Sequence, residues 1–300
     1  MMSTEQNQYS KTYRIGEIRA TVRAPMPKLL EHHAALYADF LTDEDAFAPI
    51  RITIEPEKPS WIQRRRYLIR VNDEIQYEPA RRDQVLPYLE WAMNFQIPKL
   101  YPQFLQFHAS SLSRYGLGMI MPGKSGSGKS TLTAALVHKG WDYLCDEFAL
   151  IHARSHRMHP YPRAVCIKKP SYAPLQEFGL PVGDARYYFK GSKGYVTFIN
   201  PNRIRRRSVG SPCPVRFIVF PKYRERQRPC LEPISRAEAA FELHQHCFNL
   251  LNCEKPGLDI IAAFIRHTTC YRLTAGTLEE TTALLDTMAS RTQQALANTA

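Results

Sequence analysis

Apolar and polar residues alternate along "TYRIGEIRATVRA" (12–24) and "PIRITIEP" (49–56), the period of half-buried strands. Between them, "PKLLEHHAALYADFLT" (27–42) carries its apolar residues at helical spacing. "YLIRVNDEIQYEP" (67–79) reads as a hairpin turning at Asn72 and Asp73, and "RDQVLPYLEWAMNFQI" (82–97) as a second helix. Residues 1–104 are therefore expected to form a mixed α/β region.

Beyond residue 105 the rhythm becomes strand, loop, helix, strand. "QFLQFHASSL" (103–112) and "GLGMIM" (116–121) are short apolar runs. A helix near Thr131, in "TLTAALVHKG", should stop at Gly140, and "DYLCDEFALIH" (142–152) should be the next strand. Pro- and Gly-punctuated strands and loops follow. The tail reads as mainly helical, opened by capping boxes at Ser235 ("SRAE") and Thr277 ("TLEE"). The expectation is an α/β fold: a larger domain over 105–300, with the smaller N-terminal region before it and a helical C-terminal part.

The stretch joining the second apolar run to its helix, "MPGKSGSGKS", satisfies G-x-x-x-x-G-K-[ST]. Gly123, Gly126 and Gly128 let the main chain curl so that successive N–H groups face one concavity, and the following helix adds its positive end. Gly123, Lys124, Ser125, Gly126, Ser127, Gly128, Lys129, Ser130 and Thr131 are the candidate ATP-binding residues. Lys129 is expected on the β- and γ-phosphates, and the Ser130 hydroxyl on Mg²⁺.

Asp146 and Glu147 lie at the end of an apolar strand that begins soon after this loop. Parallel strands flanking a phosphate loop bring their C-terminal ends to one rim, where an acid can hold Mg²⁺. Adjacent acids on an extended strand face opposite ways, so the two should have different jobs unless the strand ends between them. His108, fifteen residues ahead of Gly123, completes a set. A carboxylate near a His and a γ-phosphate suits removal of a proton from an attacking hydroxyl.

The block from Phe107 to Ile151 resembles the catalytic core of the HPr kinase/phosphorylase superfamily: a His, a G-x-G strand, the phosphate loop, a helix closed by Gly, and a strand with two acids. "LEWAMNFQI" and "PRAVCIKKPSY" resemble the flanks of its HprK-related kinase A branch. The resemblance implies Asp146 as general base, Glu147 in a metal-holding or supporting role, and His108 hydrogen-bonding near the transferred phosphate and the base and orienting that acid. It implies a P-loop NTPase-type kinase domain over 105–300, with ATP and Mg²⁺ as cofactors. The family's Glu-x-Arg-Gly-x-Gly signature is not visible, which removes the expected metal-ligand Glu and the case for phosphorolysis. Arg163 and Lys168 are candidate replacements for stabilising the γ-phosphate.

Composition narrows the partners. No apolar run reaches the ~20 residues that span a bilayer, and seven Cys without framework spacing fit a reducing cytoplasm. A net charge of +12 includes arginine clusters at 64–66 and 203–207, but no nucleic-acid module accompanies them. "HQHC" (244–247) lacks zinc spacing, since its two His diverge on a helix. No acyl-transfer triad, Rossmann fingerprint or guanine-specificity motif is present.

The reading is a cytoplasmic ATP-dependent kinase acting on a hydroxyl, Ser or Thr, of a small protein or peptide, with homo-oligomerisation expected from the parent family. A small-molecule hydroxyl kinase and a nucleotide-sensing ATPase without an acceptor are the alternatives.

Overall fold

The computed structural model describes residues 9–42, 47–57, 66–180, 182 and 186–298. The N-terminal region builds a five-stranded sheet in sequence order: β1 (Tyr9–Ile15), β2 (Ile18–Ala24), β3 (Ile50–Pro56), β4 (Tyr67–Val71) and β5 (Glu74–Tyr77). The run expected as one strand over 12–24 is a hairpin, because Gly16 turns at φ +64°. The β4–β5 turn falls at Asn72 and Asp73, both with positive φ, as such a hairpin requires. Arginines 64 and 65 and Trp61 lie outside the described residues.

Two helices, α1 (Pro27–Leu36) and α2 (Arg82–Asn94), cover this sheet, and short α3 (Ile97–Leu100) leads out of it. Ile50, Ile52, Ile54, Val85, Leu86 and Leu89 are buried in a core that also takes in Phe104, Phe148, Tyr161 and Phe198. The N-terminal region thus shares apolar packing with the strands that follow.

Those strands are β6 (Phe104–Arg114), β7 (Leu117–Pro122), β8 (Asp142–Cys145), β9 (Phe148–His152) and β10 (Arg157–His159), with α4 (Lys129–His138) after β7. β6 pairs antiparallel with β7 on one side and with β8 and β9 on the other. Consequently β7 and β8 run parallel and end at the same rim: Pro122 is opposite Ala109, and Cys145 opposite Ser111. A small third sheet is made of β11 (Val165–Lys168), β12 (Tyr188–Phe189) and β13 (Tyr195–Ile199), with α5 (Tyr172–Glu177) and α6 (Pro201–Ile204) in the same stretch of chain.

The C-terminal part is not only helical. β14 (Cys213–Tyr223) runs parallel to β7 and to β16 (Thr269–Ala275), and β15 (Cys230–Ile234) adds an edge. α7 (Arg236–His244), α8 (Gly257–Ile265) and α9 (Leu278–Ala297) pack on these strands, α7 and α9 capped by Ser235 and Thr277 as expected. Successive residues of β7 go to opposite faces: Met119 and Met121 meet Leu132, Leu136 and Leu285, whereas Ile120 meets Leu243, Ile261 and Phe264. The sheet is a buried layer between helices, and its C-terminal rim carries the loops considered next. No helix among the described residues is long and apolar enough to cross a membrane.

Candidate active site

The glycine loop sits where the pattern requires it, between the end of β7 and the start of α4. Gly126 and Gly128 both adopt φ +93°, and Gly128 caps α4, which starts at Lys129, two residues earlier than the sequence suggests. A Cβ on Gly126 would meet nothing within 4 Å, so that bend opens onto free space. The Lys129 side chain is nearly buried and folds back, its Nζ donating to the Gly123 carbonyl and, at 3.0 Å, to the Lys124 carbonyl. Burial holds its ammonium down at about 8. Ser127 Oγ is buried with no hydrogen-bond partner.

Asp146 and Glu147 do not belong to one continuous strand. β8 stops at Cys145 and β9 starts at Phe148, so both acids occupy the bend between them. β6 pins that bend: Ser110 Oγ donates to the Asp146 carbonyl at 2.8 Å and Ser111 Oγ to the Phe148 carbonyl at 2.9 Å. The Ala109 N–H donates to the Glu147 carbonyl at 3.2 Å.

The two carboxylates live in different fields. Asp146 is 3% exposed and accepts from the Cys166 N–H at 3.0 Å. Burial pushes its carboxyl up to about 6, against the pull of Arg163. Glu147 is partly buried, its side chain 15% exposed, and Arg163, Lys190 and Lys193 outweigh that desolvation and hold it at about 2. Burial and the neighbouring Lys129 depress His108 to about 4, so its ring is neutral at pH 7.

A cavity of about 560 Å³ joins these parts. Its lining runs from residues 125–132 to Asp146, Glu147, His108 and four lysines: 129, 168, 190 and 193. Lys168 Nζ reaches Ser125 Oγ at 2.9 Å. Pro170, Pro174, Tyr223 and Leu278 add apolar surface to the lining. Several lysines, an open glycine bend, an unpartnered buried hydroxyl and apolar lining fit a nucleoside polyphosphate. The described residues hold no cluster of three metal-ligating side chains. Ser130, with one or both acids and phosphate oxygens, matches the sparse protein ligation that Mg²⁺ accepts.

Two sequence expectations change. Arg163 is not a free cation over the phosphates: it is fully buried, bonding Glu147 through Nη1 and Glu90 of α2 at 2.7 Å through Nη2. The hydrogen bonds of the Asp146 carboxylate go to the Cys166 N–H and, at 3.5 Å, the Tyr143 hydroxyl; His108 is not among them. His108 instead lines the cavity wall beside Glu147 and packs edge-on against Phe248, ring centres 6.0 Å apart. Lys190 and Lys193 escape the sequence reading, although "KGSKG" (190–194) places two lysines in a glycine-flanked turn that could have drawn notice. Glu90 gives no signal at all, as an acid inside an amphipathic helix.

No family model matches the chain. An HPr kinase/phosphorylase from Pelodictyon phaeoclathratiforme is 36% identical over 55 residues, 18% of this chain and 17% of that protein. An HPr kinase/phosphorylase from Chlorobium phaeobacteroides is 34% identical over 55 residues, with the same coverage of 18% and 17%. The match thus spans about one sixth of these relatives' length. Among solved structures, the HPr(Ser) kinase/phosphatase from Coxiella burnetii is 12% identical, covering 64% of this chain and 93% of that one at a TM-score of 0.34. Over those 55 residues the chain is similar to these two HPr kinase/phosphorylases.

Proposed function

We propose that this protein is an ATP-dependent kinase that transfers the γ-phosphate to a hydroxyl, Ser or Thr, of a small protein or peptide, on a site of the HprK-related kinase A type. The observation that carries the reading is Asp146: a carboxyl raised to about 6, in the same cavity as the Lys129 loop. A base with that affinity is mostly deprotonated at pH 7 yet still takes up a proton readily.

The triphosphate lies along residues 123–131, with main-chain N–H groups and the α4 N-terminus on its oxygens. Lys129 leaves the Gly123 and Lys124 carbonyls for the β- and γ-phosphates. Lys168, Lys190 and Lys193 face the same charge. Ser130 and Glu147 would hold Mg²⁺, which supplies neutralisation of the phosphate oxygens; Glu147, ionised throughout the useful pH range, is suited to that and poorly suited to accepting a proton. The acceptor oxygen attacks the γ-phosphorus, the bond to the ADP oxygen breaks, and the hydroxyl proton passes to Asp146.

The test is mass spectrometry after incubating the protein with ATP-Mg²⁺ and cell extract. A phosphorylated Ser or Thr on a small protein or peptide, absent with Asp146→Asn, is the expected result. Label passing only to small molecules, or ATP turnover indifferent to any acceptor, would remove the reading.

A further inference from the structure

The apolar run of β14 gives way to charge at "PKYRERQRP" (221–229), and Tyr223 is the last residue of the strand. It is 55% exposed and lines the cavity over the glycine loop. A Cβ placed on Gly128 would lie 3.5 Å from the Tyr223 Cβ, so the tyrosine stands directly beside the N-terminus of α4. Among the described residues of that lining, two carry rings: His108, which stands beside Glu147 and packs on Phe248, and Tyr223.

The main chain under Tyr223 is fixed. It pairs with Ala275 at the end of β16, and the next residue, Arg224, donates its N–H to the Ala275 carbonyl at 2.8 Å. A side chain on Gly276 would run into the Gln227 carbonyl, so the turn after Tyr223 packs closely on the end of β16. A ring carried on backbone held in this way has little freedom left to lose when a ligand lies on it.

Strand order sets which end of a nucleotide comes here. β8, with Asp146 and Glu147 at its end, lies across β6 from β7, while β14 flanks β7 on the opposite side. A triphosphate whose γ end meets Asp146 and whose body crosses the loop carries its nucleoside toward β14 and β16, whose ends supply Pro221, Tyr223 and Ala275 to the lining. Polar groups there are already engaged. The Ala275 carbonyl takes the Arg224 N–H, and the Gly276 N–H donates to Thr281 Oγ1 at 3.1 Å. The Thr131 and Ser171 hydroxyls bond each other at 2.6 Å. The lining thus offers a base an aromatic face in place of groups that would read its edge.

We infer that Tyr223 is the platform for the nucleotide base, which stacks on its ring and is held without selection between adenine and guanine. This rests on the reading of the loop as a nucleotide site and adds where the base lies and how little of it is recognised. Every base has a π-face, so stacking tolerates a change of base and is worth about tenfold in affinity or more.

Calorimetry on the full chain tests it with the Mg²⁺ complexes of ATP, GTP and inorganic tripolyphosphate. ATP and GTP should bind within about tenfold of each other, and Tyr223→Ala should weaken both by about tenfold. Tripolyphosphate, which has no base, should bind the variant as it binds the natural chain, and that retained binding shows the variant to be folded. Tyr223→Phe keeps the ring and should recover most of the loss. An equal loss for tripolyphosphate, no loss for either nucleotide, or a preference for one nucleotide beyond tenfold in the natural chain would overturn the inference. Nucleotides that bind as described but never pass phosphate to a hydroxyl remove the kinase reading alone. Phosphate transfer from ATP whose affinity ignores Tyr223→Ala removes this inference alone, and failure of all three ligands to bind removes both.

Discussion

Arg163 holds Glu147 from behind. Its guanidinium has no exposed surface, and one terminal nitrogen bonds Glu147 while the other meets Glu90, 73 residues earlier in the chain. Glu90 is itself fixed by the Tyr37 hydroxyl at 2.8 Å and lies 3.5 Å from His33. The acid at the cavity wall is therefore positioned by a buried charge set that reaches into α1 and α2.

Breaking that set should be expensive. Arg163→Met leaves the buried Glu90 and the partly buried Glu147 without their shared cation, a change of about 3–5 kcal/mol for a pair broken on one side. Denaturant melts should show that loss. Glu90→Gln keeps the shape and one hydrogen-bond acceptor, so it should cost less than Arg163→Met. A neutral result for Arg163→Met would mean that the charges are not coupled as the distances indicate.

Lys129 ties nucleotide binding to pH. Its ammonium is held at about 8 by burial, and a bound triphosphate must raise that value. Affinity should therefore fall as pH rises through about 8, and binding above that pH should take up a proton. Titrations in buffers of different ionisation heat measure the uptake directly. Lys129→Ala should lower affinity and abolish the proton uptake together.

The catalytic rate should rise with pH through about 6, where Asp146 loses its proton. Glu147, at about 2, contributes no limb in that range. A pH–rate profile flat between 5 and 7.5 would detach Asp146 from the proton transfer.

How much of this was legible in the sequence follows from how local each feature is. The glycine loop is a run of consecutive residues whose chemistry is the pattern itself, and the strand before it and helix after it obey their own periods. Asp146 was readable as the residue at the end of an apolar run. The bend that separates it from Glu147 was not, because it depends on Ser110 and Ser111 of β6 reaching across to carbonyls more than thirty residues away. Arg163 misled for the same reason: its partners Glu90 and Glu147 come from distant elements, and sequence spacing cannot tell a buried ion pair from a phosphate ligand. β16 was missed because "TCYRLTA" mixes polar residues into a strand whose place beside β14 is set by tertiary packing.

Asp146 also links activity to stability with a definite sign. Its carboxyl is raised in the folded chain to about 6 from a usual 3.8, so the folded state binds the proton more tightly than the unfolded state does. Stability contributed by this group is greatest below about pH 4, falls between about 4 and 6, and stays low above that. A shift of about two units corresponds to about 3 kcal/mol of ionisation cost at pH 7. Asp146→Asn removes the charge while its amide oxygen can still accept from the Cys166 N–H. The variant should lose phosphate transfer yet unfold at a higher denaturant concentration than the natural chain at pH 7, by about 1–3 kcal/mol, with the gain disappearing near pH 4. Paired melts at the two pH values decide the matter: an Asn variant less stable at pH 7 would show that the ionised carboxylate is held by its neighbours more strongly than burial opposes it.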